Sequence, residues 1–85
     1  MRVLIPSALR SYTRVSWVEA RGATLRELLA DLERQFPGIR FRIVDEQERL
    51  RANMRVFVAG AAVHDLARPL RPGDEVCIVL ALSGG

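Results

Sequence analysis

The sequence predicts one small α+β domain, in which a single amphipathic helix packs across a mixed sheet of four or five strands. The clearest helical segment has a recognisable start and stop, strand-like segments lie on both sides of it, and the most apolar segment, EVCIVLAL, comes last. A strand that is flanked on both sides reads as a nearly continuous apolar run, so we expect residues 75–82 in the centre of the sheet. At 85 residues the chain is long enough for one compact core.

Two strands are predicted before the helix. Residues 2–9 (RVLIPSAL) begin with aliphatic and β-branched residues and end as a strand near Pro6. Residues 13–20 (TRVSWVEA) place Val15 and Trp17 in alternation with their neighbours. We therefore predict a hairpin.

The helix is predicted within residues 22–38 (GATLRELLADLERQFPG). Thr24, followed three residues later by Glu27, forms a capping box, and Pro37-Gly38 is a stop signal. Apolar side chains fall on one helical stripe between them: Leu25, Leu28, Leu29, Leu32 and Phe36. This stripe is expected to pack on the sheet.

The second half of the chain alternates irregular and strand-like segments. Residues 38–53 are polar and arginine-rich, and we predict irregular structure there with at most one short turn of helix. Residues 54–60 (MRVFVAG) predict a strand, Gly60-Ala61 a turn into a short edge segment near Val63, and Pro72-Gly73 a type II turn before the last strand. The simplest arrangement lays the first and last strands side by side and parallel, which is the ubiquitin-like β-grasp. We predict this domain over residues 1–82, with a flexible Gly-Gly tail over residues 83–85.

Composition argues against several classes of function. All thirteen basic residues are arginine and the formal net charge is +3, but acids interleave the arginines and no aromatic stacking platform accompanies them, so we expect no nucleic-acid partner. The N-terminal segment is too short for a signal peptide or a membrane span, and the one cysteine, Cys77, cannot form an intramolecular disulfide. These features predict a cytoplasmic protein with no membrane partner.

The residues that could carry catalysis are few. His64 is the only histidine and lies in a polar loop, so it reads as a surface residue, and Cys77 reads as a packed or half-packed thiol. The acidic residues are spread over loops without a metal-binding spacing and read as a solvated surface. We therefore predict no catalytic residue, no metal site and no enzyme activity.

The last strand and its end are more informative. If Val76, Ile78 and Leu80 face the helix, then Cys77, Val79 and Ala81 face the other way, beside Phe57 or its neighbours. Such an apolar outer face predicts a partner interface, although a partly covered sheet face is the alternative. The end, ALSGG, is a frayed terminus in one interpretation. In the other it is a reactive terminus, because two glycines in an extended conformation fit a narrow channel of a partner.

The chain resembles the ubiquitin-like sulfur-carrier family, which includes the small subunit of molybdopterin synthase and the thiazole-synthesis carrier. The likeness spans nearly the whole chain, through VLIPSALRSYT, the helical segment, RVFVAG and LRPGDEVCIVLALSGG. PGIRFRIVDE and LRSYT are closer to the molybdopterin-type carriers and their cysteine-synthesis relatives than to the thiazole-type ones.

The resemblance implies a mechanism and a set of partners. An adenylating enzyme of the ubiquitin-activating class would use ATP to activate Gly85, and a sulfur donor would convert it to a thiocarboxylate; the carrier itself would bind no cofactor. A sulfur acceptor, such as the large subunit of molybdopterin synthase, would admit the tail residues Leu82, Ser83 and Gly84 into its active site. The partner interface would include Val79, with Phe57 and Ala81 beside it.

The resemblance leaves the pathway and the class of function open. Molybdenum cofactor synthesis is the first expectation, with cysteine, thiamin or other sulfur-containing metabolites as alternatives. A ubiquitin-like protein modifier conjugated through Gly85 would share the fold, the tail and the activation step. In a plain interaction domain, the third possibility, the tail would be incidental.

Overall fold

Five strands form one mixed sheet in the order β2-β1-β5-β3-β4. The computed structural model describes residues 1–81. The strands are β1 (Arg2–Leu4), β2 (Trp17–Glu19), β3 (Met54–Val58), β4 (Ala61–Val63) and β5 (Glu75–Leu80). β5 runs parallel to β1 on one side and antiparallel to β3 on the other. The last strand is therefore central, and the predicted β-grasp fold with five strands is confirmed.

The main helix, α2 (Leu25–Gln35), begins at the predicted capping box. The Glu27 backbone N–H donates to Thr24 Oγ1 at 3.3 Å, and the Glu27 carboxylate accepts from the Ala23 backbone N–H at 3.2 Å. Four leucines of the predicted stripe are fully buried and Phe36 packs partly against the core. They meet the inner side of the sheet, where the fully or almost fully buried residues include Val3, Val56, Val76 and Ile78.

The first connection differs from the predicted hairpin. β1 and β2 do pair antiparallel, but a 3-10 turn (Ser7–Leu9) and a short helix, α1 (Arg10–Thr13), lie between them. Arg14 ends this helix with a left-handed backbone, φ 66°. Val15, which was predicted to lie in a strand, is 52% exposed.

Local hydrogen bonds explain why this segment forms helical turns in place of a direct hairpin. Pro6 closes the strand and its carbonyl accepts the Leu9 N–H at 2.9 Å, which turns the buried Leu9 side chain into the core. The Thr13 hydroxyl then donates to the Val15 carbonyl at 2.8 Å. A short side-chain to backbone bond of this kind competes with strand pairing, so β2 begins only at Trp17.

The segment predicted as irregular, with at most one short turn of helix, contains one short helix, α3 (Ile39–Ile43). Its two isoleucines are fully buried four positions apart, whereas Phe41 between them is 56% exposed. The spacing of the buried residues is therefore helical, and the apparent strand alternation came from the exposed phenylalanine.

Glu33, on α2, fixes the start of α3. Its carboxylate accepts the backbone N–H groups of Gly38 at 2.8 Å and Arg40 at 3.0 Å. These two bonds, the Gly38 bond first, hold the pKa of Glu33 below its ordinary value of 4.5. The carboxylate thus joins the two helices.

Two tight turns have the geometry that their residues favour. The turn before β5 places Pro72 ahead of Gly73, which has φ 92°, and the Asp74 N–H donates to the Arg71 carbonyl at 3.0 Å. This is the predicted type II turn. Gly60, in the β3–β4 hairpin, also has a positive φ, 84°. In the described part of the chain, no helix is long and apolar enough to cross a membrane.

Candidate functional site

The end of β5 is held on one side by the start of β3. Leu80 lies opposite Met54 and Val79 opposite Arg55, and the Ala81 N–H donates to the Asn53 carbonyl at 2.7 Å. Pairing therefore continues to the last described residue. The predicted activation residue Gly85 and the predicted tail residues Leu82, Ser83 and Gly84 lie outside the described residues.

Two grooves flank this tail exit and share Ala8 and Leu80. The first has a volume of about 310 Å³ and lies towards α3; among the described residues its lining is Ala8, Leu9, Phe41, Arg42, Arg51, Asn53, Met54 and Leu80. The second, of about 540 Å³, lies towards the β1–α1 connection and is lined by Leu4, Ile5, Pro6, Ser7, Ala8, Arg10, Ile78, Val79 and Leu80. β5 thus ends between two open surfaces that are unequal in size.

Basic side chains surround the exit. Arg42 and Arg51 line the first groove, Arg10 lines the second, and Arg55 lies opposite Val79 in the strand ladder. No carboxylate lines either groove in the part of the chain that the structure describes. Sequence reasoning missed this group because its four members come from three separate segments of the chain.

The open face of the sheet carries a continuous apolar row. Reading across the strands, Trp17 lies opposite Leu4, Leu4 opposite Cys77, Cys77 opposite Phe57, and Phe57 opposite Ala62. We call these five residues the outer row. They alternate with the buried positions of each strand, so the predicted placement of Phe57 beside Cys77 is confirmed.

Val79 lies one step from the outer row towards the tail. It is 38% exposed, while its neighbours Ile78 and Val76 are almost completely buried. Leu80 is half-buried and packs against the core, as its predicted orientation requires, and Ala81 is half-buried beyond the end of the strand. That Phe57, Val79 and Ala81 form a partner interface stays a prediction.

Charges at the opposite end of β5 are paired. Arg2 lies opposite both Glu19 and Glu75, and its guanidinium is 3.1 Å from the Glu75 carboxylate and 4.1 Å from the centre of the Trp17 ring. The amino group of Met1 is 2.9 Å from the Glu19 carboxylate. The two ends of the central strand therefore differ in charge balance.

Several acidic residues that read as a solvated surface in fact cap turns. Asp45 accepts the N–H groups of Gln47 and Arg49, Asp65 accepts that of Ala67, and Asp74 that of Arg71. The backbone bond from Arg49 is the main reason that the pKa of Asp45 lies below its ordinary value. These carboxylates have structural roles at turns.

His64 and Cys77, the two side chains considered for catalysis, lie apart from each other. His64 is exposed after β4, and Cys77 is half-buried in the outer row between Leu4 and Phe57. Among residues 1–81, no group of three or more histidine, cysteine, aspartate or glutamate side chains could hold a metal ion. The described features that bear on function are the tail exit, its arginines and the outer row.

Comparison with known proteins gives a consistent picture. A model of the ThiS family matches residues 3–85. The sulfur carrier protein CysO of Mycobacterium tuberculosis is 34% identical over an alignment of 89 positions, which covers 98% of this chain and 96% of that protein. A chain in the crystal structure of the Amycolatopsis orientalis BexX/CysO complex is 36% identical, with a TM-score of 0.91 and coverage of 99% of this chain and 98% of that chain. SAMP1 from Haloferax volcanii, at 24% identity and a TM-score of 0.80 over 100% of this chain and 98% of its own, shares the fold.

Proposed function

The chain belongs to the ThiS family, and we propose that it is a sulfur carrier whose Gly85 carboxylate is adenylated and then converted to a thiocarboxylate. The observation that carries the proposal is the similarity to sulfur carrier protein CysO over 98% of the chain, with the family match reaching residue 85. The place of β5 in the fold supports it, because the central strand ends at Leu80, only a few residues before Gly85 in the sequence.

The proposed chemistry needs activation by a separate enzyme. A terminal carboxylate has a pKa of about 3.5, so at neutral pH it is an anion and a poor electrophile. One of its oxygens attacks the α-phosphate of ATP, pyrophosphate leaves, and an acyl-adenylate forms at Gly85. Hydrosulfide supplied by a sulfur donor then attacks the carbonyl carbon, a C–S bond forms and AMP leaves. In this scheme the carrier contributes the end group.

The folded domain would present that end group to its partners. The outer row and Val79 give an apolar surface on the side of β5 away from the helix, next to the exit of the tail. A CysO relative has been crystallised in a complex with BexX, so a partner is known for a protein of this fold and 36% identity. We propose that Phe57, Val79 and Ala81 contact the adenylating enzyme and the sulfur acceptor.

The pathway that receives the sulfur is proposed from the relatives. The likeness to CysO favours the cysteine-synthesis branch over the molybdopterin branch, which the sequence alone had favoured. The acceptor is then a cysteine-forming enzyme in place of the large subunit of molybdopterin synthase.

The proposal is tested by measuring the intact mass of the chain after incubation with ATP, sulfide and an adenylating enzyme from the same genome. The expected product is heavier by the replacement of one oxygen with sulfur, and omission of ATP or deletion of Gly85 abolishes this mass increase. A variant with Gly60→Asn, a turn position away from the tail, is the matched control and should react like the unmodified chain. An unchanged mass with a competent enzyme would contradict the proposal.

The same experiment separates the carrier from a protein modifier. A modifier would appear as slowly migrating conjugates that survive reducing agents, because an isopeptide bond is not cleaved by thiols. Conjugates that require Gly85 and form without any thiocarboxylate would contradict the carrier function and support a protein modifier. If the function of the protein in the cell persists without Gly84-Gly85, the result favours a plain interaction domain.

A further inference from the structure

The arginines around the tail exit are not used by the proposed chemistry, and three of them line grooves whose described lining includes no carboxylate. We call Arg10, Arg42, Arg51 and Arg55 the exit arginines. All ion pairs within residues 1–81 involve other cations: Met1, Arg2, Arg26, Arg34 and Arg40. Among residues 1–81, no exit arginine lies within ion-pair distance of a carboxylate, and the same is true of Arg14, Arg21, Arg49, Arg68 and Arg71. The lining of the two grooves therefore sets the exit apart, and the lack of an ion pair alone does not.

Backbone carbonyls hold three of these side chains in place. Arg10 Nε donates to the Ile5 carbonyl at 3.0 Å, and an Arg55 nitrogen donates to the Ala52 carbonyl at 2.7 Å. Arg51 Nε donates to the Phe41 carbonyl at 2.7 Å, and the Arg51 guanidinium lies 4.5 Å from the centre of the Phe41 ring. A carbonyl fixes a guanidinium without cancelling its charge, so the positive charges remain available to a partner.

This distribution differs from an evenly basic surface. At the far end of β5, Glu19 and Glu75 pair with the Met1 amino group and Arg2, whereas three exit arginines line two grooves that contain no carboxylate among the described residues. Arginines on one surface without carboxylates give it a net positive potential, which an anionic partner would complement. The imbalance lies at the end of β5, after which the residues of the proposed tail follow in the sequence.

We propose that the exit arginines dock on an acidic rim around the tail-accepting channel of the adenylating enzyme. This inference rests on the proposed function, since it assumes that an enzyme takes the tail. The apolar outer row would supply contact area, while the arginines would set the rate and orientation of docking, as rim charges do in other interfaces. The partner is therefore expected to carry clustered aspartate and glutamate at its channel mouth.

The test compares two double variants that each remove two positive charges. Arg42→Gln with Arg55→Gln changes two exposed exit arginines. Arg21→Gln with Arg71→Gln changes two exposed arginines near the far end of the sheet, where Arg21 follows β2 and Arg71 precedes β5. Affinity for the adenylating enzyme is measured by calorimetry, in parallel with its ATP-pyrophosphate exchange rate.

We expect the exit variant to bind about tenfold more weakly at low salt, with the exchange rate at saturating carrier unchanged. The far-end variant should bind within about twofold of the unmodified chain. Raising ionic strength from about 0.1 M to about 1 M, which shortens the Debye length from about 10 Å to about 3 Å, should remove most of the difference. Equal losses in both variants, or a loss insensitive to salt, would overturn the inference.

A second measurement does not depend on adenylation. Hexaglutamate is titrated into the isotope-labelled chain, and amide shifts are followed by NMR. Shifts should concentrate at residues 8–10, 41–42 and 51–55, and oligouridine of equal charge should bind more weakly. Three results would each overturn an acidic protein rim as the occupant. The amide shifts could be spread evenly over all arginines, or oligouridine could bind more tightly than hexaglutamate. Hexaglutamate could also bind much more tightly after deletion of residues 82–85. If binding depends on the exit arginines but no adenylation occurs, the proposed function fails and the docking surface stands.

Discussion

The two faces of β5 differ in burial although both are apolar. Val76 and Ile78 are 0% and 1% exposed beneath α2, whereas Val79, the next residue along, is 38% exposed. Both faces are apolar, so composition does not distinguish them. The buried side chains of the inner face stabilise the fold, whereas the apolar outer row is available to contact a partner.

The largest expected effect comes from the inner face. Ile78→Ala should lower the free energy of unfolding by about 2–5 kcal/mol, because a fully packed side chain leaves a cavity beneath the helix. Val79→Ala, on the adjacent outer position, should cost less than about 1 kcal/mol. Urea denaturation of both variants measures the contrast, and equal losses would show that the outer face is also part of the core.

The close approach of the β2–α2 connection to α2 gives the next largest effect. A Cβ atom at Gly22 would overlap the backbone nitrogen of Leu28 and lie 2.8 Å from the carbonyl carbon of Glu27. Since backbone cannot swing aside, Gly22→Ala should cost about 1–3 kcal/mol. Gly60→Asn is the control: its surroundings are open and asparagine tolerates a positive φ, so its thermal midpoint should be nearly unchanged. A Gly22→Ala variant as stable as the parent would refute this close approach.

On the outer face, Val79→Asp should weaken binding to the adenylating enzyme about tenfold, which corresponds to about 1.4 kcal/mol. The fold should persist because the new carboxylate lies on an exposed position opposite Arg55. Val15→Asp, at a valine that is 52% exposed outside the outer row, is the control with the same charge change. Calorimetric titration gives the affinities and a thermal melt checks folding. Early melting of Val79→Asp with normal binding of the soluble fraction would make Val79 structural.

The smallest effect concerns pH and tests how α3 is held beside the exit. Because the folded pKa of Glu33 is lowered from 4.5, its contribution to stability is complete above about pH 4.5 and is lost as the pH falls through the lower folded value. Glu33→Gln should therefore flatten the loss of stability on acidification. Exposed Glu46→Gln is the matched control, and urea midpoints measured at several acidic pH values provide the comparison. An identical pH profile in Glu33→Gln and the parent would exclude this role.

Much of the fold could be predicted because local signals agreed with the tertiary structure. The capping box at Thr24 and Glu27, the turn at Pro72-Gly73 and the apolar last strand each had one physical reading. The hairpin prediction missed the two helical turns between β1 and β2, because they depend on burial of Leu9 and on the Thr13 to Val15 bond, which no sequence period shows. Ile39 and Ile43 fit both a strand and a helix until the exposure of Phe41 decided between them.

The candidate site was predictable only in part. The alternation of β5 was sufficient to place Phe57 and Val79 on the outer face, because side-chain direction in a strand has a period of two. The grouping of the exit arginines could not be predicted, because α1, α3, the connection after α3 and β3 come together at the end of β5 only in the folded chain. In sequence these arginines looked like an ordinary scatter of charge among acids.

The most direct measurement is the location of the transferred sulfur by tandem mass spectrometry. Because proline follows both Arg68 and Arg71, trypsin should release a C-terminal peptide that begins at Val56 and contains both Cys77 and Gly85. We predict an oxygen-for-sulfur exchange confined to Gly85, in the unmodified chain and in Cys77→Ala alike. An added sulfur on Cys77, or an unmodified Gly85 after incubation with ATP, sulfide and a competent adenylating enzyme, would contradict a carrier that works through its tail.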